Sequence, residues 1–131
     1  MPREYFKGDW QSGYSFSPCV RTRGGDVVWA AGHGAWEDEN GKSLAGDFAA
    51  QTRASFRMLE ATLERAGARL KDMVTMTVFI LDARHSKTFT DVRKEFFPDG
   101  NYPGSALITC AGLAHPDMMV EIQGIAVVGD E

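Results

Sequence analysis

The chain has little of what marks the specialised protein classes. It holds 2 cysteines in 131 residues, Cys19 and Cys110, far apart and with no CxxC pair. That excludes a disulfide framework and suits a reducing, cytoplasmic setting. No apolar run approaches the roughly 20 residues of a membrane span. The opening stretch, MPREYFKGDW, has no apolar core, so no secretory signal peptide is expected. Positive charge is also short: 14 Lys and Arg stand against 18 Asp and Glu, a formal charge of −4, and the cations are scattered. That pattern argues against a nucleic-acid binder. Phosphate-binding GxxxxGK[ST] loops, HExxH pairs and GxSxG elbows are missing. The 3 histidines, His33, His85 and His115, lack metal-ligand spacing, so no metal site is expected.

What is present is an ordinary globular composition, 44% hydrophobic and 24% charged. Such a chain forms one domain over residues 1–131 and buries about two-thirds of its unfolded surface without a staple. Residues 8–25, rich in Gly, Ser and Arg, read as a loop around a short strand, Cys19 to Arg21. DVVWAAG, from Asp26 to Gly32, reads as a buried strand with Trp29 in the core, and residues 33–46 as a long turn.

Asp47 is placed to cap a helix whose inner stripe is Phe48, Thr52, Phe56, Leu59, Leu63 and Ala66, with Gly67 at its end. Met73 to Leu81 is strand-like. A second helix follows from Ser86 to Phe97, with Phe89, Val92 and Phe96 inward, stopped by Pro98 and Gly100. Strands from Ala106 to Gly112 and Met118 to Val128 close the chain around a His115-Pro116-Asp117 turn. The order β, β, α, β, α, β, β predicts an α+β layer, a single sheet with two helices on one face. The strands carry apolar residues on both faces, while helices can cover only one. The second face therefore predicts a homo-oligomer.

A few residues suggest chemistry. Glu121 sits mid-strand among apolar neighbours in VEIQGIAVV, where carboxylates are seldom placed without a purpose. It is suited to general acid/base work or to positioning a water; the plainer readings are an interface ion pair or an edge-strand carboxylate in solvent. His33, between Gly32 and Gly34 at a strand end, either enters a cleft or faces water in a turn. Cys110 and Cys19 read first as small core thiols. His85 and His115 read as solvated, at a helix start and in a turn. Arg21 and Arg23 flank Thr22 and are either an anion site or a solvated loop.

Several segments in order then resemble a known family. They are Gly25-Asp26-Val27-Val28-Trp29-Ala30-Ala31-Gly32, Ala50-Gln51-Thr52-Arg53, Glu64-Arg65-Ala66-Gly67, Asp72-Met73-Val74, Val78-Phe79-Ile80-Leu81-Asp82, Phe96-Phe97-Pro98, Tyr102-Pro103 and the block from Gly112 to Ile122. Together, over about residues 13 to 128, they are similar to the RidA/YjgF family, also labelled L-PSP endoribonuclease. The resemblance implies a chorismate-mutase-like fold, a homotrimer around a central β-barrel, and clefts between subunits. It implies hydrolysis of reactive enamines or imines without a cofactor, with an arginine gripping the substrate carboxylate and a glutamate positioning water. The glutamate is present as Glu121 and the cleft glycine as Gly32. Ala31 replaces the family's serine, and His33 its frequent Gln or Thr. The arginine is missing: the Pro-x-Arg pattern reads Pro103-Gly104-Ser105 here.

On that resemblance the cleft comprises Glu121 as the catalytic acid/base, with Ser105, Gly32, His33, Ala31, Leu107 and Cys110 about the substrate. Losing one partner of a buried Arg–carboxylate contact costs about 2–5 kcal/mol, and a serine hydroxyl does not replace it. Either the substrate is not a simple imino acid or another cation serves, with Arg21, Arg23 and Arg84 as candidates. The expectation is a small-molecule hydrolase or deaminase; the alternative is a non-catalytic trimeric binding or regulatory module. RNA cleavage ranks last on charge.

Overall fold

The structure, a computed structural model, describes residues 3–130. Its longer helix, α1 (Phe48–Arg65), starts where Asp47 accepts a hydrogen bond from the Ala50 N–H at 3.0 Å. It ends at Ala66, and Gly67 takes the left-handed φ of 78° that follows such a terminus. Its inner stripe, Phe48, Thr52, Phe56, Leu59 and Leu63, is buried as the spacing predicts, and Ala66 beyond it is exposed. The second helix, α2 (Ser86–Phe96), packs beside α1 through an aromatic cluster. In it Phe56 lies 4.8 Å from Phe96 and 5.7 Å from Phe89, ring centre to ring centre.

Six strands accompany them: β1 (Arg3–Phe6), β2 (Cys19–Thr22), β3 (Asp26–His33), β4 (Met73–Ile80), β5 (Gly104–Thr109) and β6 (Val120–Val128). β3, β6, β4 and β5, in that order, form a mixed sheet. Only β4 and β5 run parallel, joined by the crossover through α2. The α+β class, with two helices packed on this sheet, is as predicted. β1 and β2 form a separate antiparallel ribbon. β1 was not predicted, because four residues alternating Arg, Glu, Tyr and Phe carry too short a period to register. β5 begins at Gly104 and ends at Thr109, two to three residues ahead of the predicted span.

The two faces of the sheet differ. Met76, Val78, Ile80, Val120 and Ile122 are at most 1% exposed against the helices. The other face carries Val27, Trp29, Phe79, Ile125 and Ile108, and Trp29 is 75% exposed. The expectation that Trp29 belongs to the core is therefore corrected. In β3 the residues that face the helices are Val28 and Ala30, and Trp29 alternates away from them. Among the described residues no helix is long and apolar enough to cross a membrane.

Candidate functional site

Glu121 lies on the open face of the sheet, paired across the ladder with Phe79. Its carboxylate is half-buried and forms no hydrogen bond or ion pair among the described residues. What brings it close to β3 is a bulge. Ala30 pairs with Gly124 and His33 with Ile122, so Ala31 and Gly32 together stand opposite the single residue Gln123. The carboxylate fills the space above Gly32: a Cβ there would lie 1.8 Å from Glu121 Oε2. The glycine is needed for this close approach, since its φ is not in the left-handed region. Gly32→Ala is accordingly expected to fold with stability within about 1 kcal/mol of the parent while pushing the carboxylate aside. A displacement of that size costs on the order of 10²-fold in turnover where a reacting group is misplaced by about 1 Å. Thermal unfolding and steady-state rates on the same preparation separate the two effects.

The same bulge decides His33. The extra residue turns its side chain to the helix face, where it is 9% exposed. There one ring nitrogen meets Thr62 Oγ1 at 2.8 Å and the other the Ala31 carbonyl oxygen at 2.8 Å. It is thus a satisfied structural histidine, neither open to water nor beside Glu121. Ala31 stays exposed at the bulge.

Ser105 and Leu107 are elsewhere. They pair with Met76 and Val78 and point to the helix side of β5. Within one chain they and Glu121 occupy opposite faces, on strands separated by β4, roughly 10 Å across the sheet. Ser105 and Leu107 line a cavity of about 530 Å³ closed by α2 and by the loop around Tyr14 and Phe16. Its inner wall holds a residue the sequence reading passed over, Arg93, 3% exposed. Its guanidinium donates to Ser105 Oγ at 2.7 Å, to Ser15 Oγ at 3.1 Å and to the Tyr14 carbonyl at 3.2 Å, and it lies 4.9 Å from the Phe89 ring centre. Burial away from water pushes its pKa down to about 10, with only a weak opposing pull from Tyr102. The guanidinium is therefore charged at neutral pH and, among the described residues, has no carboxylate bonded to it.

Ser15 pins the loop over this cavity. It takes a left-handed φ of 59°, unusual for a residue with a side chain, and donates to the Thr90 carbonyl at 2.9 Å while accepting from Arg93. The cations named from sequence are otherwise placed. Arg21 pairs with Glu4 and stacks over Phe6, Arg84 pairs with Asp82 at 2.7 Å, and Arg23 is exposed ahead of the Gly24-Gly25 turn. Cys110 is half-buried just past β5, its N–H bonded to the Ile80 carbonyl at 2.9 Å. Cys19 is exposed on the β1–β2 ribbon, which corrects its reading as a core thiol, because it falls with Arg21 on the exposed side of the alternation along β2. His85 stacks on Phe48 at 4.3 Å and His115 on Trp36 at 4.1 Å, so neither is simply solvated. Among the described residues no group of three or more His, Cys, Asp or Glu is placed to hold a metal.

Comparison with known proteins agrees with this fold. A family model described as endoribonuclease L-PSP matches residues 11–128. A Rid-family protein of unknown function from Yersinia pestis superposes with a TM-score of 0.86 at 23% identity, covering 98% of this chain and 100% of that one. A YjgF/YER057c/UK114 family member from Mycobacterium tuberculosis gives 0.68 at 28% identity, covering 96% and 99%. A YjgF-family protein from Neisseria meningitidis gives 0.66 at 23% identity, covering 100% and 98%.

Proposed function

The chain belongs to the endoribonuclease L-PSP family, and from that premise we propose that it is a cofactor-independent hydrolase of a reactive enamine or imine. It works as a cytoplasmic homotrimer on a small molecule. The observation that carries the reading is the half-buried Glu121 carboxylate, held over Gly32 with no donor bonded to it among the described residues. A carboxylate in that state is free to accept a proton from water. The water oxygen adds to the imine carbon as Glu121 takes its proton. Glu121 then returns that proton to nitrogen, which gives the carbinolamine; it next takes the hydroxyl proton and passes it to the same nitrogen, so that the C–N bond breaks, ammonia departs and a carbonyl remains.

The open face of the sheet supports the oligomer. Trp29, Val27 and Ile108 are 75%, 48% and 42% exposed, a concentration of apolar surface suited to burial against further copies. Ser105 and Glu121 face opposite sides in one chain, so a cleft that uses both needs a neighbouring subunit. Trp29→Asp is expected to shift the protein from trimer to monomer in sedimentation velocity without loss of secondary structure. A variant that stays trimeric argues against this face as the interface.

The test of activity generates imino acids in situ with an amino-acid oxidase and traps unhydrolysed imine with semicarbazide. The protein is expected to suppress trapping in proportion to its concentration. An imine or enamine panel on which it has no effect argues for the second reading, a binding module, which the serine at position 105 favours. In that case a ligand is recovered unchanged from the cleft. RNA cleavage is not the reading taken. RNA binding draws on clustered cations, whereas this chain carries −4 overall and its Arg21 and Arg84 are paired with carboxylates.

A further inference from the structure

Arg93 is a buried cation with no anionic partner among the described residues. Arginine is almost never taken out of water without a partner charge, because desolvation of an ion costs several kcal/mol. Its three hydrogen-bond partners here, two hydroxyls and a carbonyl, are all neutral. A guanidinium carries five N–H groups. One on Nε, one on Nη1 and one on Nη2 are used, which leaves one free on each terminal nitrogen. That is the number a carboxylate takes in a bidentate contact.

The cavity in front of Arg93 matches such a ligand. At about 530 Å³ it has the volume of a small-molecule site. Lys87 and Lys94 stand on the same wall with one acid, Asp91, which both of them approach, so the lining is net positive. Phe16 and Leu107 supply an apolar side. We propose that this cavity binds an organic anion, a carboxylate on an apolar body, with Arg93 as the contact for the carboxylate and Ser105 as the hydroxyl that holds the guanidinium in place. A small residue at 105 is what leaves room for a cation delivered from α2. The inference stands on the cavity alone and holds whether or not Glu121 turns the ligand over.

The test is calorimetric titration of the intact protein at low salt with benzoate, benzamide as its neutral counterpart, and inorganic phosphate. Benzoate is expected to bind saturably, at least tenfold more tightly than either. Equal affinity for benzamide, or saturable binding of phosphate alone, overturns the proposal, as does no binding of benzoate. Ser105→Asp sets an internal carboxylate against Arg93 and keeps the protein folded. It is expected to lower benzoate affinity at least tenfold with the circular dichroism spectrum unchanged; undiminished binding shows that Arg93 is not the contact. Arg93→Lys keeps the charge but loses the fork, and a several-fold loss is expected. Should that variant not fold, Ser105→Asp decides. The semicarbazide-trapping assay on the same preparation separates the two readings: benzoate binding without imine turnover leaves this proposal standing and overturns only the hydrolase reading, whereas turnover without benzoate binding overturns this one.

Discussion

Glu121→Gln is expected to lower imine turnover by about 10²–10⁴-fold, the range that one positioned acid/base group contributes. Glutamine keeps the shape and loses only the ability to take and return a proton. The substitution breaks no internal bond, because the Glu121 carboxylate has no hydrogen-bond partner among the described residues. The fold and its unfolding midpoint are therefore expected to stay put, and the loss to appear in kcat with KM little changed. That split is the signature of an interaction made only in the transition state. Retention of turnover within a few-fold, or a loss confined to KM, removes Glu121 from the chemistry and leaves it as a cleft wall. Gly32→Ala probes the same carboxylate from the other side. It moves the group without changing it, so its loss should be the smaller of the two.

The parts of this molecule that local physics determines were legible in the sequence. Asp47, the stripe from Phe48 to Leu63 and Gly67 define α1 within a residue, since capping and periodicity act over a few positions. The apolar second face of the sheet was legible too, from strands without a polar side. Whatever depended on one residue of register was not. The bulge at Ala31 and Gly32 inserts a single position, and that position decides that Gly32 meets Glu121 and that His33 turns inward. No alternation pattern announces it. The resemblance groups Ser105 and Leu107 with Glu121 in a cleft between subunits; that the pairing with β4 sets them on opposite faces within one chain is likewise a matter of register that the sequence does not display.

Arg93 is the instructive omission. It lies four residues after Phe89 and three before Phe96, on the inward stripe of α2, where a solvated cation has no reason to be. That spacing was the available signal. It was masked because Arg and Lys elsewhere on both helices are exposed, as Arg65, Lys87 and Lys94 illustrate. Arg21, Arg23 and Arg84 are more conspicuous in sequence as replacement cations, yet Arg21 and Arg84 are already paired with carboxylates.

Ser105→Arg shows how far this one residue changes the expectation. From sequence alone the substitution restores the arginine of the family's carboxylate clamp. In the structure Ser105 Oγ sits 2.7 Å from the Arg93 guanidinium. A second guanidinium set there faces a like charge in a site that water screens poorly. Two unit charges about 4 Å apart repel by about 4 kcal/mol at an effective dielectric near 20. Part of that is relieved if the new side chain reaches into the cavity, so urea unfolding is expected to show a loss of about 2–4 kcal/mol. Imine turnover is expected not to rise. Adding Arg93→Ser to the same chain removes the repulsion and should recover most of the stability, because the lone guanidinium then extends from the strand into the same cavity. A Ser105→Arg protein as stable as the parent means that Arg93 is free to leave the wall, and its burial then ceases to be an argument for an anion. The two cations are thus alternatives for one space. A chain that carries Arg93 on α2 has a physical reason to carry a small residue at 105.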